Sequence, residues 1–219
     1  MITLKDIKEN EAIKTYIRKA DEVLAALGYT EHSFAHMGKV SDVAGYILRT
    51  LNYPAGDVEL AQIAGYIHDI GNIVNREEHA QSGAVMAFRI LDQMGASPEE
   101  NATIISAIGN HDESTAAPVN PIAAALILGD KTDVRRSRVR NWDLATFDIH
   151  DRVNYAVEES HVSISENHKT FLLSLVIDTS ISSVMDYFEI FLDRMILCKK
   201  AANRLDMNFE LIINHQKVI

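Results

Sequence analysis

The chain has 219 residues, of which 47% are hydrophobic, and a formal net charge of -10 at pH 7. This length allows one large domain or a main domain with a smaller companion. The acidic balance argues against binding to a nucleic-acid polymer, because such binding needs a basic face. The one cysteine, Cys198, excludes a disulfide framework and predicts a reducing, cytoplasmic location.

The hydrophobic runs do not predict membrane association. The first residues lack the apolar core of a signal peptide. The longest apolar runs, such as residues 122–128, are far too short to cross a bilayer. We therefore expect neither a membrane span nor a membrane partner.

Helices account for the first two thirds of the chain. Apolar residues at helical spacing predict four helices in turn, over residues 4–27, 33–51, 58–69 and 77–94. Ser97-Pro98-Glu99-Glu100 predicts a further helix start, since it combines a cap, a proline at the first position and a capping-box acid. Asn120-Pro121 begins the last helix of this part.

The pattern changes after about residue 140. Alternating apolar residues within 155–178, interrupted by a polar turn at 166–169, predict a β-hairpin. A long helix follows from Ser183 to Leu205, and a short strand over residues 209–213 ends the chain.

These elements predict a mostly α fold, in which a helical bundle carries a small C-terminal α+β appendage. We place the helical domain at residues 1–140 and the appendage at residues 141–219. Trp142 is expected to anchor the join between these two parts, because a large aromatic side chain gains most when it is buried.

A histidine–aspartate pair, His68-Asp69, ends one of the apolar helices and is followed at once by Ile70-Gly71. Imidazole and carboxylate together form a mixed nitrogen and oxygen ligand set that suits Fe, Mn, Zn or Mg. Burying many ionisable groups is costly unless they share a metal. Separate, satisfied polar residues would explain one or two such positions, but not all of them in order. Further His and Asp side chains align with apolar helix stripes at His36, His79, His111 and Asp130.

The order of these residues resembles the HD superfamily of metal-dependent phosphohydrolases, over roughly residues 31–140. His36 looks like the first His of that family, and His68-Asp69-Ile70-Gly71 looks like its namesake motif. Gly129-Asp130-Lys131 looks like its final Asp, at the end of a helix. Residues 155–219 match no functional module of the family.

The resemblance also implies a ligand set for each of two divalent metal ions. Asp69 would bridge the ions, and His79 and His111 resemble the extra ligands of the subgroup that binds two metals. His68 and Asp69 would form the catalytic centre. Two cations held there would lower the pKa of a shared water, which would then attack phosphorus. The ions implied are Fe or Mn, with Mg or Zn as alternatives. The first ion would be held by His36, His68, Asp69 and Asp130.

One position departs from the family pattern. Asn72 follows the His68-Asp69-Ile70-Gly71 motif, where close relatives carry Lys. The Gly-Tyr-Pro signature of the cyclic-dinucleotide hydrolases is also missing from the sequence, so hydrolysis of a cyclic dinucleotide is not supported. If the usual Lys contacts substrate phosphate or assists proton transfer, another group must do so here.

A basic segment follows the last candidate ligand directly. We expect its residues Lys131 and Arg135 to contact a phosphorylated substrate, because guanidinium and ammonium groups bind phosphate. The alternative is a solvated basic face, or a set of salt bridges to Asp133 and Asp143.

Three other polar residues lie near the motif residues or in the appendage. Asp112 either orients His111 from outside the ligand set or is a solvated acid after a helix end. His32, one helical turn before the first candidate ligand, is expected at the surface. His150 is expected to be structural or exposed.

Three functions are consistent with this sequence. The first is hydrolysis of a phosphoester in a small phosphorylated molecule, such as a nucleotide, by a metal-activated water. The second is a di-iron oxygenase, since some HD-type proteins use the same ligands to cleave C–C or C–P bonds with O₂. The third is a non-enzymatic, ligand-sensing module whose appendage mediates homodimerisation. The first is favoured because hydrolysis is the commoner activity in the family.

Overall fold

The computed structural model describes residues 2–219. A 3-10 turn at Ile70–Ile73 follows the fourth helix. Within residues 2–219, no helix is long and apolar enough to cross a membrane. The helices are α1 (Leu4–Glu9), α2 (Glu11–Ala26), α3 (Phe34–Thr50), α4 (Ala55–Ile67), α5 (His79–Gln93), α6 (Pro98–Gly109), α7 (Pro121–Lys131), α8 (Ile149–Ala156) and α9 (Val184–Arg204). The strands are β1 (Val157–Ile164), β2 (Thr170–Ile177), β3 (Asn208–Ile213) and β4 (Gln216–Lys217).

Polar caps determine where several of the predicted helices begin. The Ser33 hydroxyl accepts a hydrogen bond from the Ala35 amide at the start of α3. Ser97 and Glu100 form the predicted capping box of α6, and the Asn120 side chain caps α7. Such caps satisfy amide groups that have no partner inside the helix. The starts of these three helices are therefore confirmed.

The helix predicted over residues 4–27 is two helices, because Asn10 interrupts it. The Asn10 side chain accepts hydrogen bonds from the amides of Ala12 and Ile13 and so caps α2. Asparagine is among the strongest N-cap residues. Gly28 follows α2 with a φ of +84°, as expected for a glycine that ends a helix.

The helical bundle is built around α3, α4 and α7, which pack against one another. Their inward side chains are apolar, as at Met37, Ile63 and Leu126, each of them 0% exposed. A Cβ atom at Gly129 would lie 2.9 Å from the Val40 carbonyl oxygen. Glycine therefore lets α7 approach α3 closely, next to the candidate ligand Asp130.

The appendage is a four-stranded sheet in the order β1-β2-β3-β4, packed against α9. β1 and β2 form the predicted antiparallel hairpin, whereas β2 and β3 are parallel because α9 connects them. The inward residues of β2 and β3, such as the opposed pair Phe171 and Phe209, are buried. The predicted helical bundle with a small C-terminal α+β appendage is confirmed.

Two features near residue 140 differ from the prediction. The sequence pattern does not predict α8, because a helix of 8 residues offers little more than two turns of periodicity. Trp142 is 89% exposed, so the expectation that it anchors the join is wrong. The join is made instead by α9, which packs on α7 and buries Phe191 and Cys198.

Candidate metal centre

All the candidate ligands predicted from the sequence meet at one buried place. The four histidines are at most 2% exposed and Asp69 is 3% exposed. The side chain of Asp130 is 12% exposed. The ligands come from five helices or their flanking turns: His36 from α3, His68 and Asp69 after α4, His79 from α5, His111 after α6 and Asp130 from α7.

Gly71 allows the turn that carries Asp69 to pack directly on α5. A Cβ atom at Gly71 would collide with the His79 carbonyl oxygen and the Gly83 amide nitrogen. Only glycine fits so close a backbone approach. The Gly in the His-Asp-Ile-Gly motif therefore brings Asp69 and His79 together.

All four histidines donate their Nδ1 proton away from the centre. The partners are carbonyl or carboxylate oxygens, which only accept, so each Nδ1 is the donor and each ring turns its Nε2 toward the centre. Such outer hydrogen bonds commonly orient metal-binding histidines. The Nδ1 distances are 2.8 Å from His36 to Asp133 Oδ2, 2.9 Å from His68 to the Gly65 carbonyl, 2.9 Å from His79 to the Arg76 carbonyl and 2.6 Å from His111 to the Ile108 carbonyl.

The Asp69 carboxylate lies between two pairs of imidazoles. Its Oδ2 is 3.9 Å from His36 Nε2 and 3.5 Å from His68 Nε2. Its Oδ1 is 3.4 Å from His79 Nε2 and 3.6 Å from His111 Nε2. Each oxygen of Asp69 therefore faces a different pair of histidines.

Asp130 completes the side of the centre that faces His36 and His68. Its Oδ1 lies 3.4 Å from His36 Nε2 and 3.7 Å from His68 Nε2. The donor atoms of His36, His68 and Asp130 all lie within 4.8 Å of one another, and so do those of His68, Asp69 and His111. Either group is close enough for its members to share one ion.

The inward nitrogens lack the partners that a metal-free site would need. Within residues 2–219, Nε2 of His36 and Nε2 of His68 are buried without a hydrogen-bond partner. Nε2 of His79 and Nε2 of His111 face each other at 3.2 Å. Unpaired buried acceptors are costly, and a cation would turn them into ligands. A donor set of imidazoles and carboxylates fits a divalent ion such as Fe, Mn or Zn.

Burial and neighbouring charges determine the protonation of the centre. Burial lowers the pKa of His79 to about 4, so its ring is neutral at pH 7. Burial opposes ionisation of Asp69 and Asp130, but His68 and Lys131 respectively hold the pKa of each carboxyl well below its usual range. Burial also disfavours charge on His68, but Asp69 and Asp130 outweigh it and raise the pKa of that imidazole. The two carboxylates are therefore anionic at neutral pH, as metal binding requires.

Asp133 supports the centre, although from the sequence it was expected only as a salt-bridge partner. Its Oδ2 accepts the Nδ1 proton of His36, and its Oδ1 accepts from Arg135 Nε at 2.9 Å. These partners hold the pKa of Asp133 below its usual range despite burial. The position of Asp133, one turn after Asp130, was the signal that could have identified it.

A cavity of about 400 Å³ opens beside the centre. Asp69, His79 and Asp130 form part of its wall. Three arginines that were not predicted from the sequence, Arg76, Arg138 and Arg194, also line it. Arg194 could have been identified from the sequence, because it is a single charged residue on the inward-facing side of α9. The cavity volume matches a small molecule.

The two basic residues expected at the substrate are placed differently. Lys131 lines the cavity, with its Nζ 2.6 Å from Asp130 Oδ2 and 2.9 Å from Glu113 Oε2. Arg135 lies outside the cavity wall and is ion-paired with Glu31 and Asp133. The salt-bridge alternative therefore describes the surroundings of Arg135.

Asp112 and His32 also lie where the sequence did not place them. The Ile108 carbonyl takes the Nδ1 proton of His111, and Asp112 Oδ1 instead lies 3.9 Å from His79 Nε2. His32 is partly buried, lines the cavity and lies with its ring centroid 5.3 Å from that of His36. His150 is exposed, as expected, at the cavity mouth.

Asn72 is fully buried and does not line the cavity. Its side chain instead forms hydrogen bonds with a backbone carbonyl and with another side chain. Its Nδ2 donates to the Asp69 carbonyl at 3.0 Å. Its Oδ1 accepts from Arg76 Nη1 at 3.2 Å, and Arg76 lines the cavity. The residue that replaces the usual Lys therefore positions a cation one turn further on.

A helical bundle that buries a cluster of histidines and carboxylates beside a small-molecule cavity defines a metal-binding protein with mixed nitrogen and oxygen ligands. The family model described as HD domain matches residues 33–165, which is more than half of the chain. The chain therefore belongs to the HD domain family, a superfamily of metal-dependent phosphohydrolases whose members bind divalent metals. The match continues past residue 140 and includes α8 and β1.

Proposed function

We propose that this protein is a metal-dependent phosphohydrolase that cleaves a phosphoester of a small phosphorylated molecule, a nucleotide or a related phosphoester. The observation that carries the proposal is the placement of Asp69, whose two carboxylate oxygens each face a separate pair of imidazole nitrogens. One carboxylate shared in this way suits a bridge between two cations.

The residues divide into two sets around Asp69. His36, His68 and Asp130 would hold the first ion together with Asp69 Oδ2. His79 and His111 would hold the second together with Asp69 Oδ1. Two divalent ions, Fe or Mn first and Mg or Zn as alternatives, would supply a water that ionises near neutral pH and would neutralise charge on the phosphoryl oxygens.

The chain's own cations would orient the substrate. Arg76 is held by Asn72 Oδ1 and faces the cavity, so it can replace the Lys that relatives carry at position 72. Its remaining guanidinium nitrogens can bind phosphate oxygens in the paired geometry that suits arginine. Lys131 balances the charge of Asp130 beside the centre, and nearby Asp130 and Glu113 raise its pKa although burial opposes this. Lys131 is therefore a cation at neutral pH.

The test combines metal analysis with a panel of phosphomonoesters, phosphodiesters and nucleotides. Wild-type protein purified without added metal should contain about two ions per chain and hydrolyse at least one class of the panel with that metal. Asp69→Asn should lose both ions, because the substitution weakens the ligand common to both sets. Its rate of hydrolysis should fall at least about a hundredfold. His79→Ala should keep the first ion. Asp92→Asn, an exposed carboxylate at the end of α5, serves as the matched control.

Two outcomes would overturn the proposal. Oxygen consumption with reduced iron, without phosphate release from any ester, would make the protein a di-iron oxygenase. Loss of metal in Asp69→Asn with every cellular function intact would favour a ligand-sensing module.

A further inference from the structure

The C-terminal segment forms one wall of the cavity beside the metal centre. Asn154 of α8 and Phe191 and Arg194 of α9 line this wall. None of these residues belongs to the ligand set, so the wall is free to contact a molecule bound beside the centre.

Arg194 is the cation of this wall that has free donors. Its Nε lies 2.6 Å from Glu113 Oε1, and its guanidinium carbon lies 4.6 Å from the centre of the Phe191 ring. Within residues 2–219, no hydrogen bond or ion pair engages its two terminal nitrogens. By contrast, Arg138 also lines the cavity, but it donates to the carbonyls of Glu31 and Asp133 and is 4% exposed.

Asn154 offers a complementary group. The side chain is buried, with the residue 5% exposed, and its Nδ2 donates to the His150 carbonyl at 2.9 Å. No donor in the described part of the chain reaches its Oδ1, although Asn154 lines the cavity. This oxygen is not among the buried atoms that lack a partner, so it has access to solvent, and a ligand hydroxyl in the cavity can donate to it in place of water.

We propose that this wall is the substrate-recognition surface, in which Arg194 binds a phosphate and Asn154 accepts a hydrogen bond from a hydroxyl of the same molecule. The inference rests on the proposed function, since the bound phosphate is the one that the centre would hydrolyse. The ligand class is a single phosphate on a hydroxyl-bearing carbon unit, as in a sugar phosphate or a nucleoside monophosphate. Asp148 and Asp151 also line the cavity, so their carboxylates can accept hydrogen bonds from hydroxyl groups and repel a second phosphate.

The phosphate half is tested with inorganic phosphate as the probe, titrated calorimetrically into manganese-loaded protein. Arg194→Gln should bind phosphate about 10- to 100-fold more weakly than wild type, because it loses charge-assisted hydrogen bonds. Arg194→Lys keeps the charge next to Glu113 and should recover only part of the affinity, since it lacks the guanidinium fork. Arg204→Gln, an exposed arginine of the same helix, is the matched control. Equal phosphate affinity in Arg194→Gln and wild type would overturn the assignment.

The hydroxyl half is tested by comparing ribose 5-phosphate with methyl phosphate, which carries no hydroxyl on its carbon. Wild type should prefer ribose 5-phosphate, and Asn154→Ala should reduce that preference about fivefold while leaving the affinity for methyl phosphate unchanged. If either ester is hydrolysed, the ratio of KM values replaces the ratio of dissociation constants. A wild-type protein with no preference, or an unchanged preference in Asn154→Ala, contradicts the inference. Adenosine 5'-monophosphate then distinguishes the two sources, since only a nucleotide site would bind it more tightly than ribose 5-phosphate.

These experiments separate the inference from the proposed function. Circular dichroism and metal content of each variant should match wild type at the assay temperature, which excludes a folding defect or a lost ion as the cause. Selective phosphate binding without turnover would refute hydrolysis and keep the recognition wall. Turnover that is indifferent to Arg194 and Asn154 would refute the wall and keep hydrolysis.

Discussion

Each histidine of the centre is held by an acceptor on the outer side of its ring, and for three of them that acceptor is the backbone carbonyl three residues earlier. For His68 and His111 this carbonyl lies in the last turn of a helix, where carbonyl groups have no partner inside the helix. His36 differs, because its acceptor is the Asp133 side chain, 97 residues away in sequence. The orientation of His36 therefore depends on one replaceable carboxylate.

Asp133→Asn should weaken binding of the first ion about tenfold or more, because the neutral amide supports His36 less well than a carboxylate does. The affinity is measured by titration against a competing chelator, with both ions followed separately. The second ion should bind as in wild type. Asp143→Asn, an exposed acid from the same region, is the control. Unchanged affinity for both ions in Asp133→Asn would show that His36 needs no carboxylate support.

At the scale of elements, the turn Ile70–Ile73 is the part of the site most constrained by packing. It joins α4 to the segment that carries His79, and Gly71 lies against the backbone of α5. Any side chain at Gly71 would move α5 away from Asp69. Gly38 of α3 provides a contrast, since a Cβ atom there meets no atom within 4 Å.

Gly71→Ala should destabilise the protein by about 1–3 kcal/mol through overpacking. Gly38→Ala should instead stabilise it by up to about 1 kcal/mol, since glycine in a helix interior costs backbone entropy. Urea unfolding of both variants gives the two free energies. Similar stabilities of the two variants would mean that α5 adapts to a side chain at the turn. Metal content should fall in Gly71→Ala alone.

At the scale of the whole molecule, we propose that the boundary between residues 1–140 and 141–219 divides function rather than folding. Buried side chains of both parts belong to one continuous core. The ion pair between Glu113 and Arg194 also joins the two parts beside the centre, and Lys131 and Arg194 hold the pKa of Glu113 below its usual range although burial opposes this. The helical part would carry the ions and the C-terminal part the recognition wall.

The full chain should unfold in a single cooperative transition, followed by calorimetry and circular dichroism. Saturating manganese should raise the midpoint temperature of unfolding by about 5–10 °C, because ions that bind only the folded state stabilise that state. Asp69→Asn should show no such rise. Two separate transitions would contradict the shared core and support independent domains.

Much of this organisation was predictable from local patterns. The caps at Ser33, Ser97 and Asn120 mark helix starts because side chains satisfy the first amides locally. The hairpin and β3 follow from alternating apolar residues, whereas the two-residue strand β4 was not predicted. All the candidate ligands were identified from sequence order and resemblance, since each lies on or beside an amphipathic helix. The short helix α8 and the break at Asn10 were missed, because a few residues give little periodicity.

The sequence by itself determined most of the helices, the appendage and the identity of the candidate ligands, since caps, periodicity and motif order act over a few residues. Only the tertiary structure decided what those residues face. It placed Asp69 between two pairs of imidazoles, paired His36 with Asp133 and engaged Arg135 away from the cavity. It also brought Arg194 to the cavity wall. These relations join residues far apart in the chain, so they depend on how the helices pack.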